Sequence, residues 1–543
     1  MIRDFLWGRY TLLSASIIIG VYASVRLLAS SSILWAITSF IFLSFSALGV
    51  FDLFNKQHPV RQNYPLLGRL RYFFESIRPE LRQYFWEDDD DELPYSRNQR
   101  ALIYQRSKNF TATRPFGSIR GFYKDGHSWL ASSLSPIDIE NKDFRFNVGK
   151  GENAYAMSFL NISGMSFGAL SPTAITSLSK GAKLGNFALN TGEGSLSKYH
   201  ELGGGDLIWQ ISTGYFGCRT PEGRFSDELF QEKARLPSVK MIEIKLSQGA
   251  KPGHGGMLLA PKVTAEIAAT RGIEIGKDCI SPAKHSEFST PNELLDFVIR
   301  LRELSDEKPI GIKLCVGHPW ELIALIKAMY MRKVYVDFIT VDGAEGGTGA
   351  APVEFVDHLG TPLRDAVVFV DNALRAAGLR KKIHIGASGK LVSAWDMIRL
   401  SAIGADWINM ARPFMFSLGC IQARDCSSGN CPTGITTMNP KRYNALDVES
   451  RAKRVANFHH NSLEAVAEML GAAGIDHPLK LNRSHVARRL SSSEIKLADD
   501  VYPKVTNNAL NNNGIIEDVR ILKYWDVVSG DSFEISSSRV RQK

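Results

Sequence analysis

Residues 241–256 read MIEIKLSQGAKPGHGG, a strand-like alternation that runs directly into a glycine-rich turn. The polar residues of the alternation, Glu243, Lys245 and Ser247, would all face one side of a strand. Buried lysine and glutamate cost free energy unless they are paired or ligated. The pattern therefore predicts a polar side that points into a closed barrel, toward the mouth where barrel active sites lie. A structural Glu–Lys pair between neighbouring strands is the alternative.

Similar short β-branched runs recur between about residues 156 and 415, with helical patterns between them. The predicted strands are Met157–Ser163, Phe187–Thr191, Leu207–Thr213, Met241–Ser247, Ile310–Val316, Phe338–Val341, Ile383–Ala387 and Trp407–Met410. The predicted helices include Pro172–Leu184, Pro291–Leu304, Pro319–Met331, Asp365–Ala377 and Ala394–Ile403. Eight such units predict an α/β fold, a (β/α)8 TIM barrel. A doubly wound sheet is the alternative, although no GxGxxG motif follows the first strand.

Glycine clusters stand where four of these strands end, at Thr191–Gly194, Lys251–Gly256, Asp342–Gly349 and Gly386–Gly389. Glycine lets backbone N–H groups approach a ligand closely, so the clusters predict a phosphorylated cofactor. Barrels commonly bind phosphate between their seventh and eighth loops. The predicted cofactor contacts in the sixth, seventh and eighth loops are Gly346, Gly347, Gly386, Ser388, Gly389, Ala411 and Arg412.

Three of the six cysteines, Cys420, Cys426 and Cys431, are spaced C-x5-C-x4-C, and Pro432 follows the third. So few cysteines in 543 residues exclude a disulfide framework and favour a reducing compartment. Tetrahedral zinc usually has four ligands with closer paired spacings. Three cysteines followed by proline are more typical of iron–sulfur ligation, and three ligands match a three-iron cluster. Three unlinked buried thiols are the alternative.

The composition, with 44% hydrophobic and 22% charged residues, is that of a globular protein and excludes a disordered, collagenous or coiled-coil chain. The net charge of +9 would suit either nucleic acid or a membrane surface. Arg26 alone interrupts an uncharged stretch from Tyr10 to Phe51, which is long enough to cross a bilayer twice. We therefore expect a membrane partner and no nucleic acid. A cleaved signal peptide and a single span are the alternatives.

Basic residues flank this apolar stretch on both sides, among them Arg9, Arg61 and Arg69. The positive-inside rule then places both flanks, and the barrel, on the cytoplasmic side of an inner membrane. The expected organisation is a transmembrane hairpin at 1–55, a basic and aromatic juxtamembrane segment with a linker at 56–150, the barrel with its cysteine loop at 151–440, and a C-terminal helical extension at 441–543.

Several segments of the barrel region match one family in the family's own order. They are Asn161–Gly168 (NISGMSFG), Asn190–Gly194 (NTGEG), Ile242–Gly249 (IEIKLSQG) with Lys251–Gly253 (KPG), Ile280–Pro282 (ISP), Ile312–Leu314 (IKL), Gly346–Ala350 (GGTGA), and Gly419–Cys426 (GCIQARDC) leading to Cys431–Gly434 (CPTG). From about residue 157 to 440 the chain thus resembles the flavin and iron–sulfur domain of glutamate synthase.

The resemblance implies a barrel that binds FMN, with a 3Fe-4S cluster on Cys420, Cys426 and Cys431. In the family, this domain reduces 2-iminoglutarate, formed from 2-oxoglutarate and ammonia, to glutamate, with hydride from the flavin and electrons from the cluster. By motif position, Ser163, Gln210 and Lys313 should line the flavin ring. Lys313 would stabilise negative charge on the reduced ring or pair with a substrate carboxylate. Glu193 would orient the substrate or assist proton transfer, although a carboxylate at a helix start is the alternative.

The chain also departs from the family's pattern. His254 replaces the family's acid in the K-P-G-x-G-G loop, which puts fidelity to 2-oxoglutarate in doubt. The segment before the barrel lacks the family's amidotransferase cysteine, so we expect ammonia rather than glutamine as the nitrogen source. The sequence carries no nicotinamide-binding motif, so a separate electron-donor protein is expected. The expected activity is that of an oxidoreductase acting on CH–NH2 groups. The alternatives are a related enzyme for another amino or keto acid, such as N-methylglutamate formation, and a non-catalytic membrane-bound flavoprotein subunit.

Overall fold

Eight parallel strands close into a barrel in the order in which they occur along the chain, as a computed structural model shows. They are β1 Leu160–Ile162, β2 Ala188–Asn190, β3 Asp206–Ile211, β4 Val239–Lys245, β5 Ile310–Leu314, β6 Phe338–Asp342, β7 His384–Ser388 and β8 Trp407–Met410. The structure describes residues 8–55, 58–91, 94–111, 113 and 116–535. It divides into two compact units, Met1–Arg97 and Asn98–Lys543, of which the second contains the barrel. The predicted barrel is confirmed.

The amino-terminal end of the barrel is closed by an antiparallel hairpin of Arg145–Val148 and Tyr155–Ser158. Three of its side chains pack among the first residues of several barrel strands, and together they form a buried cluster of Val148, Tyr155, Met157, Ala188, Ile208, Met241, Phe338 and Trp407. The predicted strand Met157–Ser163 is therefore split between this hairpin and β1. The apolar plug leaves the opposite, carboxyl-terminal end of the barrel for polar side chains.

Helices alternate with the barrel strands, as the sequence predicts. The helices of six residues or more are α1 Thr11–Ser30, α2 Ile33–Leu53, α3 Leu67–Leu81, α4 Arg97–Ser107, α5 Pro172–Gly185, α6 Lys198–Gly203, α7 Asp227–Ala234, α8 Ala265–Arg271, α9 Pro291–Leu304, α10 Pro319–Arg332, α11 Leu363–Ala376, α12 Ala394–Ala402, α13 Arg412–Leu418, α14 Val448–Ala472 and α15 Val519–Tyr524. Several begin with the side-chain caps that helices favour: Thr290 and Glu293 form a reciprocal capping box at the start of α9.

The residues after the barrel form more than a helix. The 25-residue α14 packs on α5, so closely that a Cβ added to Gly181 would lie 2.5 Å from Val455. Two later strands, Val486–Arg489 and Ile495–Leu497, pair with Ser128–Leu130 in a small antiparallel sheet. Residues on either side of the barrel in sequence thus pack together beside it.

In the amino-terminal unit, α1 and α2 are 20 and 21 residues long and apolar enough to cross a membrane. By length and composition alone, a buried core helix or a signal sequence would pass the same test. Residues 1–7 of the predicted hairpin segment lie outside the described residues. The two helices pack against each other through small side chains, and Ser24 and Ser39 share a hydrogen bond of 2.7 Å.

Candidate active site

A buried carboxylate anchors the polar interior of the barrel. Glu243, in β4, accepts hydrogen bonds from Asn190 Nδ2 at 2.8 Å, Gln210 Nε2 at 2.7 Å and Thr340 Oγ1 at 2.6 Å. These donors come from β2, β3 and β6, so the network crosses the barrel. A buried carboxylate with several donors is satisfied without a direct ion pair. Glu243 therefore fixes the Gln210 amide, a predicted flavin contact, in one orientation.

Lys313, in β5, is buried at the carboxyl-terminal end of the barrel. Its Nζ lies 3.7 Å from Asp342 Oδ2. Burial lowers the pKa of Lys313, but the charges of Asp342, Glu243 and Glu193 outweigh that effect, and the net shift is upward. Lys313 is therefore a fixed cation, as its predicted role requires.

Glu193, in the loop after β2, forms an ion pair with Lys245 at 2.7 Å and accepts a weaker hydrogen bond from Ser212 Oγ at 3.3 Å. Burial raises the pKa of Glu193, but Lys245, Lys251 and Arg271 more than compensate and lower it to about 2. Glu193 is therefore ionised near neutral pH. It can hold a cation or orient a donor, but it cannot supply a proton at that pH.

Lys245 and Lys251 are site residues that sequence reasoning did not assign. Lys245 was expected on the polar side of its strand, and the structure places its Nζ between Glu193 and Gln248 Oε1, 2.5 Å from the latter. Lys251, in the glycine-rich loop after β4, is only 2% exposed. Burial and the charge of Lys245 lower the pKa of Lys251, and Glu193 opposes this only in part. The net lowering of the Lys251 pKa therefore comes mainly from burial.

His285 holds the end of β4 in place. Its Nε2 lies 2.9 Å from the carbonyl oxygen of Lys245, and its Nδ1 lies 3.0 Å from the Tyr215 hydroxyl. Because a carbonyl oxygen only accepts, Nε2 carries the proton and Nδ1 accepts from Tyr215. Burial lowers the pKa of His285 to about 4, which keeps the ring neutral. Sequence reasoning missed this residue, although it follows the ISP segment closely.

The loops after β1, β2 and β3 converge near Gln210. A Cβ added to Gly164 would lie 2.8 Å from Asn190 Oδ1 and 3.0 Å from Gln210 Nε2. The neighbouring Ser163 is buried, and its backbone N–H donates to the carbonyl of Met410 at 2.9 Å. The structure thus brings Ser163, Gln210 and Lys313 to the same end of the barrel.

The loops after β4 and β6 meet backbone to backbone. A Cβ at Gly249 would overlap the carbonyl oxygen of Gly343, which also accepts a hydrogen bond from Gly346 N at 2.8 Å. The Gly249 N–H donates to Asp342 Oδ2 at 2.9 Å, the carboxylate beside Lys313. These glycines therefore allow an approach that a side chain would prevent.

The seventh and eighth loops reach the same region. Gly389 has a φ of +142°, and a Cβ there would lie 3.3 Å from Gly343 N. The Ser388 hydroxyl donates to Asp342 Oδ1, the carboxylate beside Lys313. Arg412 Nη2 donates to the carbonyl of Glu345 at 2.9 Å, and a Cβ at Gly347 would lie 2.7 Å from the Arg412 guanidinium.

Two predicted cofactor contacts have other surroundings. Gly386 lies inside β7, where an added Cβ would be 2.6 Å from the Trp407 ring at the plugged end of the barrel. Gly386 therefore leaves room for the Trp407 ring and does not lie at the mouth of the barrel. Ala411 is the N-cap residue of α13, directly after β8. Both roles stay predictions.

The three clustered cysteines lie in one loop after α13. Burial and the charges of Cys426 and Cys431 raise the pKa of the Cys420 thiol to about 12, so the three sulfurs are close enough to influence one another. Among the described residues, no three His, Cys, Asp or Glu side chains are arranged around a single metal ion. A Cβ added to Gly349 would lie 3.7 Å from Cys426 Cβ, which places the cysteine loop against the sixth barrel loop.

His254, the departure in the KPGHGG loop, is half-buried between the fourth and sixth loops. Its Nδ1 donates to the carbonyl of Gly255 at 2.9 Å, and its ring meets the edge of Phe355 with centroids 5.9 Å apart. His254 thus contributes to the packing between these two loops.

The chain is similar to several known proteins. The family described as a conserved region in glutamate synthase matches residues 133–476. A glutamate synthase large subunit-like protein of Bacillus subtilis, YerD, is 37% identical over 500 residues, which cover 84% of this chain and 95% of that protein. An archaeal glutamate synthase [NADPH] of Methanocaldococcus jannaschii is 39% identical over 316 residues, 58% of this chain and 59% of the relative. A solved flavocytochrome b2 with bound pyruvate is 12% identical, with a TM-score of 0.42, over 81% of this chain and 90% of that one.

Proposed function

This chain belongs to the glutamate synthase family, and we propose that it is an oxidoreductase that forms glutamate by reductive amination of 2-oxoglutarate, through 2-iminoglutarate, with ammonia as the nitrogen source. A separate electron-donor protein would supply the reducing equivalents. The activity belongs to the class that acts on CH–NH2 groups.

One observation carries the proposal: buried cations gather at the open end of the barrel around an ionised carboxylate. Lys245, Lys251 and Lys313 are each less than a tenth exposed there. Burial lowers the pKa of Lys251 and so disfavours its charged form. A dicarboxylate would stabilise that charge, because a buried cation gains most from a charge-assisted hydrogen bond. Glu193, ionised in the same place, would attract the cationic nitrogen of ammonium or of an imine.

The residues present also fit FMN. A Cβ added to Gly249 or Gly389 would lie against backbone atoms of Gly343, so the absence of side chains there would let a phosphate approach the backbone of these loops. Within the described structure, Asn409 Oδ1 is buried without a hydrogen-bond partner, and Asn409 lies in register with Ser388. Such an orphaned acceptor suits the polar edge of a flavin ring. Bound FMN would supply the hydride.

The chain's own groups would then bind and orient. Ser163, Gln210 and Lys313 would hold the ring, with Gly346, Gly347, Gly389, Ala411 and Arg412 around the phosphate. Lys313 would stabilise negative charge that develops during reduction. Glu193 would fix the nitrogen of the substrate without donating a proton, since it is already ionised. Lys245 and Lys251 would hold a substrate carboxylate.

We also propose that Cys420, Cys426 and Cys431 bind a 3Fe-4S cluster. Two buried cations flank them: Lys262 Nζ donates to the carbonyl of Cys426 at 3.2 Å, and the charge of Arg100 acts on Cys420. Cations beside thiolates favour metal ligation by stabilising the deprotonated sulfur. Replacing any of the three by alanine should lower iron and acid-labile sulfide together, whereas Cys218→Ala, a buried cysteine elsewhere in the barrel, should leave both unchanged. Unchanged iron in a triple variant would contradict the cluster.

For the amino-terminal unit we propose a hairpin that crosses the inner membrane twice, with the barrel on the cytoplasmic side. The helices expose large apolar side chains such as Ile18, Leu34 and Phe40, while serines and glycines lie between them. This arrangement is the reverse of a water-soluble helix pair and is typical of helices packed in lipid.

The decisive experiment is anaerobic. The purified, photoreduced full chain is mixed with 2-oxoglutarate and labelled ammonium, and flavin reoxidation and labelled glutamate are measured. Glutamate formed at the rate of reoxidation supports the proposal. Faster reoxidation with methylamine, with N-methylglutamate as the product, would identify methylamine rather than ammonia as the nitrogen substrate. Bound flavin without turnover under any of these conditions would favour a non-catalytic subunit.

A further inference from the structure

The helix that follows the hairpin carries an apolar stripe that no described residue of its own unit covers. In α3, Leu67, Leu70, Phe73 and Phe74 are each about half exposed, and they recur at the spacing of one helix face. Tyr84, Phe85 and Trp86 continue this exposure through the π-helical turn Arg82–Trp86. Exposed aromatic and aliphatic side chains in a continuous strip mark a surface that meets another apolar phase.

The opposite side of α3 is fastened to the hairpin. Arg69 binds Asp52, at the end of α2, through two nitrogens, with Nη2–Oδ1 and Nε–Oδ2 distances of 2.7 and 2.8 Å. The Leu66 N–H donates to the same carboxylate at 3.2 Å. The Asp52 side chain is fully buried by these contacts. A bidentate pair of this kind fixes both the position and the rotation of α3.

Close backbone packing fixes the same rotation. Gly68 is buried, and a Cβ there would lie 2.8 Å from the carbonyl oxygen of Val60. Tyr72, one turn later, lies under the Arg61 guanidinium and meets the His58 ring edge-on. With Gly68, Arg69 and Tyr72 turned toward the unit, the stripe of Leu67, Leu70 and Phe74 must turn away from it.

Charge along the segment favours an anionic surface. Between residues 58 and 86 the chain carries Arg61, Arg71, Arg78 and Arg82 besides Arg69, against only Glu75 and Glu80. Arg71 and Arg78 fall at the border of the apolar stripe, where a long side chain can keep its charge among headgroups. The acidic run Glu87–Asp91 follows at once. An anionic surface would attract the helix and repel that run.

We propose that α3 lies flat in the headgroup zone of an anionic lipid leaflet, with its apolar stripe in the acyl region and the Asp52–Arg69 pair holding it at the end of the hairpin. The inference rests on the proposed membrane hairpin and goes beyond it. The chain would cross the membrane and would also bind more strongly to a leaflet with anionic headgroups. Apolar area and basic residues both contribute to such binding.

The test uses a photo-crosslinking amino acid in the full chain, reconstituted in vesicles of zwitterionic lipid alone or mixed with an anionic lipid. At Phe74, in the stripe, we expect crosslinks to lipid that increase severalfold with the anionic lipid and fall with added salt. At Ser76, exposed on another face of α3, we expect at least fivefold fewer. The double variant Arg71→Gln with Arg78→Gln should remove the dependence on anionic lipid.

A third probe at Ile37, exposed in α2, distinguishes the proposed membrane hairpin from the proposed binding of α3 to the leaflet. Lipid crosslinks at Ile37 without any at Phe74 would overturn the inference and leave the hairpin standing. An absence of lipid crosslinks at both positions would overturn both. Crosslinks from Phe74 to protein instead of lipid would also overturn it, because they would identify the stripe as a protein-docking surface. In an Asp52→Asn background, crosslinking at Phe74 should fall while that at Ile37 persists; equal persistence would show that the ion pair does not hold the helix.

Discussion

Lys313 combines burial with a raised pKa, because three carboxylates outweigh the cost of removing its charge from water. Such a cation is in place before any ligand binds and needs no rearrangement during the reaction. We predict that Lys313→Met, which keeps the volume and removes the charge, lowers the rate of glutamate formation by about 100-fold or more. The rate is measured anaerobically with photoreduced protein.

The matched control for this change is Lys240→Met. Lys240 lies near the start of β4, at the end of the barrel opposite the mouth. The Nζ of its partly exposed side chain is 3.7 Å from the carboxylate of Asp206, the first residue of β3. A surface pair of this kind contributes little to stability, so activity and flavin content should stay near those of the unaltered protein. Equal loss in both variants would mean that Lys313 acts only through folding.

Glu193 gives a prediction about pH. Because its pKa is lowered to about 2, its ion pair with Lys245 stabilises the fold above the ordinary carboxyl pKa of about 4.5 and is lost only as the pH falls through 2. The pH–rate profile should therefore show no acid limb from this residue between pH 5 and 8. Glu193→Gln should raise the KM for ammonium about tenfold or more, since the amide cannot attract a cation.

Glu201→Gln, at an exposed position of α6, is the control for Glu193. It removes one carboxylate from the same region of sequence without touching the mouth, so its KM should not change. A KM for ammonium that is the same in all three proteins would assign Glu193 a structural role alone.

Single residues show where sequence reasoning ends. The motif residues Ser163, Gln210, Glu193 and Lys313 could be named from sequence, and the structure places all four at one end of the barrel. Lys245 could be assigned only to a face, because its ion pair is with a loop residue 52 positions away. Such a partner depends on how a loop folds back, which local patterns do not specify.

At the scale of elements, the contact between the fourth and sixth loops depends on glycine. An added methyl at Gly249 would overlap the Gly343 carbonyl, and a backbone atom cannot move aside cheaply. We predict that Gly249→Ala displaces the two loops, lowers flavin content at purification and destabilises the protein by about 1–3 kcal/mol. Flavin absorbance per chain and the thermal midpoint test this.

Gly317→Ala is the control, since nothing lies within 4 Å of a Cβ added at that position, in the loop after β5. It should keep full flavin content. If Gly249→Ala also kept it, the fourth and sixth loops would not form the cofactor contact that we propose.

Some boundaries of helices and strands can be predicted from the sequence, and others cannot. The strand Trp407–Met410 and the helix Pro291–Leu304 agree with prediction residue for residue, because a turn or a proline marks each start. Met157–Ser163 was predicted as one strand, but it changes partner at Phe159, from the plug hairpin to the barrel. Both halves are buried and each contains a polar residue, Ser158 or Asn161, so hydrophobic pattern alone cannot separate them.

At the scale of the whole molecule, the two units differ in which side chains they bury. The barrel encloses charge: ionised groups such as Lys313 and Glu193 lie inside it. The amino-terminal unit exposes apolar side chains, and among its described residues the buried charged side chain is that of Asp52. Hydropathy predicts the apolar helices from sequence, but the Asp52–Arg69 pair joins residues on two helices and appears only when these fold together.

Three buried histidines of the barrel unit, His200, His285 and His459, remain neutral. His459, in α14, stacks on Phe187 with ring centroids 3.9 Å apart, and its Nε2 lies 3.1 Å from the Leu160 carbonyl in β1. Burial lowers the pKa of His459 to about 3 and that of His200 and His285 to about 4. The unfolded chain takes up these protons near pH 6.5, so protonation favours unfolding.

We therefore predict that the barrel unit is fully stabilised above about pH 6.5 and loses stability steadily as the pH falls from 6.5 toward 4, by up to about 1.4 kcal/mol per pH unit for each histidine. The thermal midpoint between pH 4.5 and 8 measures this. His459→Phe keeps the stacking on Phe187 but cannot be protonated. It should therefore lower the midpoint at pH 7.5, through the lost hydrogen bond to Leu160, and flatten the dependence on pH. His460→Gln, at the exposed neighbouring position, should leave the slope unchanged. If His459→Phe kept the full slope, the C-terminal helix would not be part of the pH response, because the protons would then be taken up elsewhere.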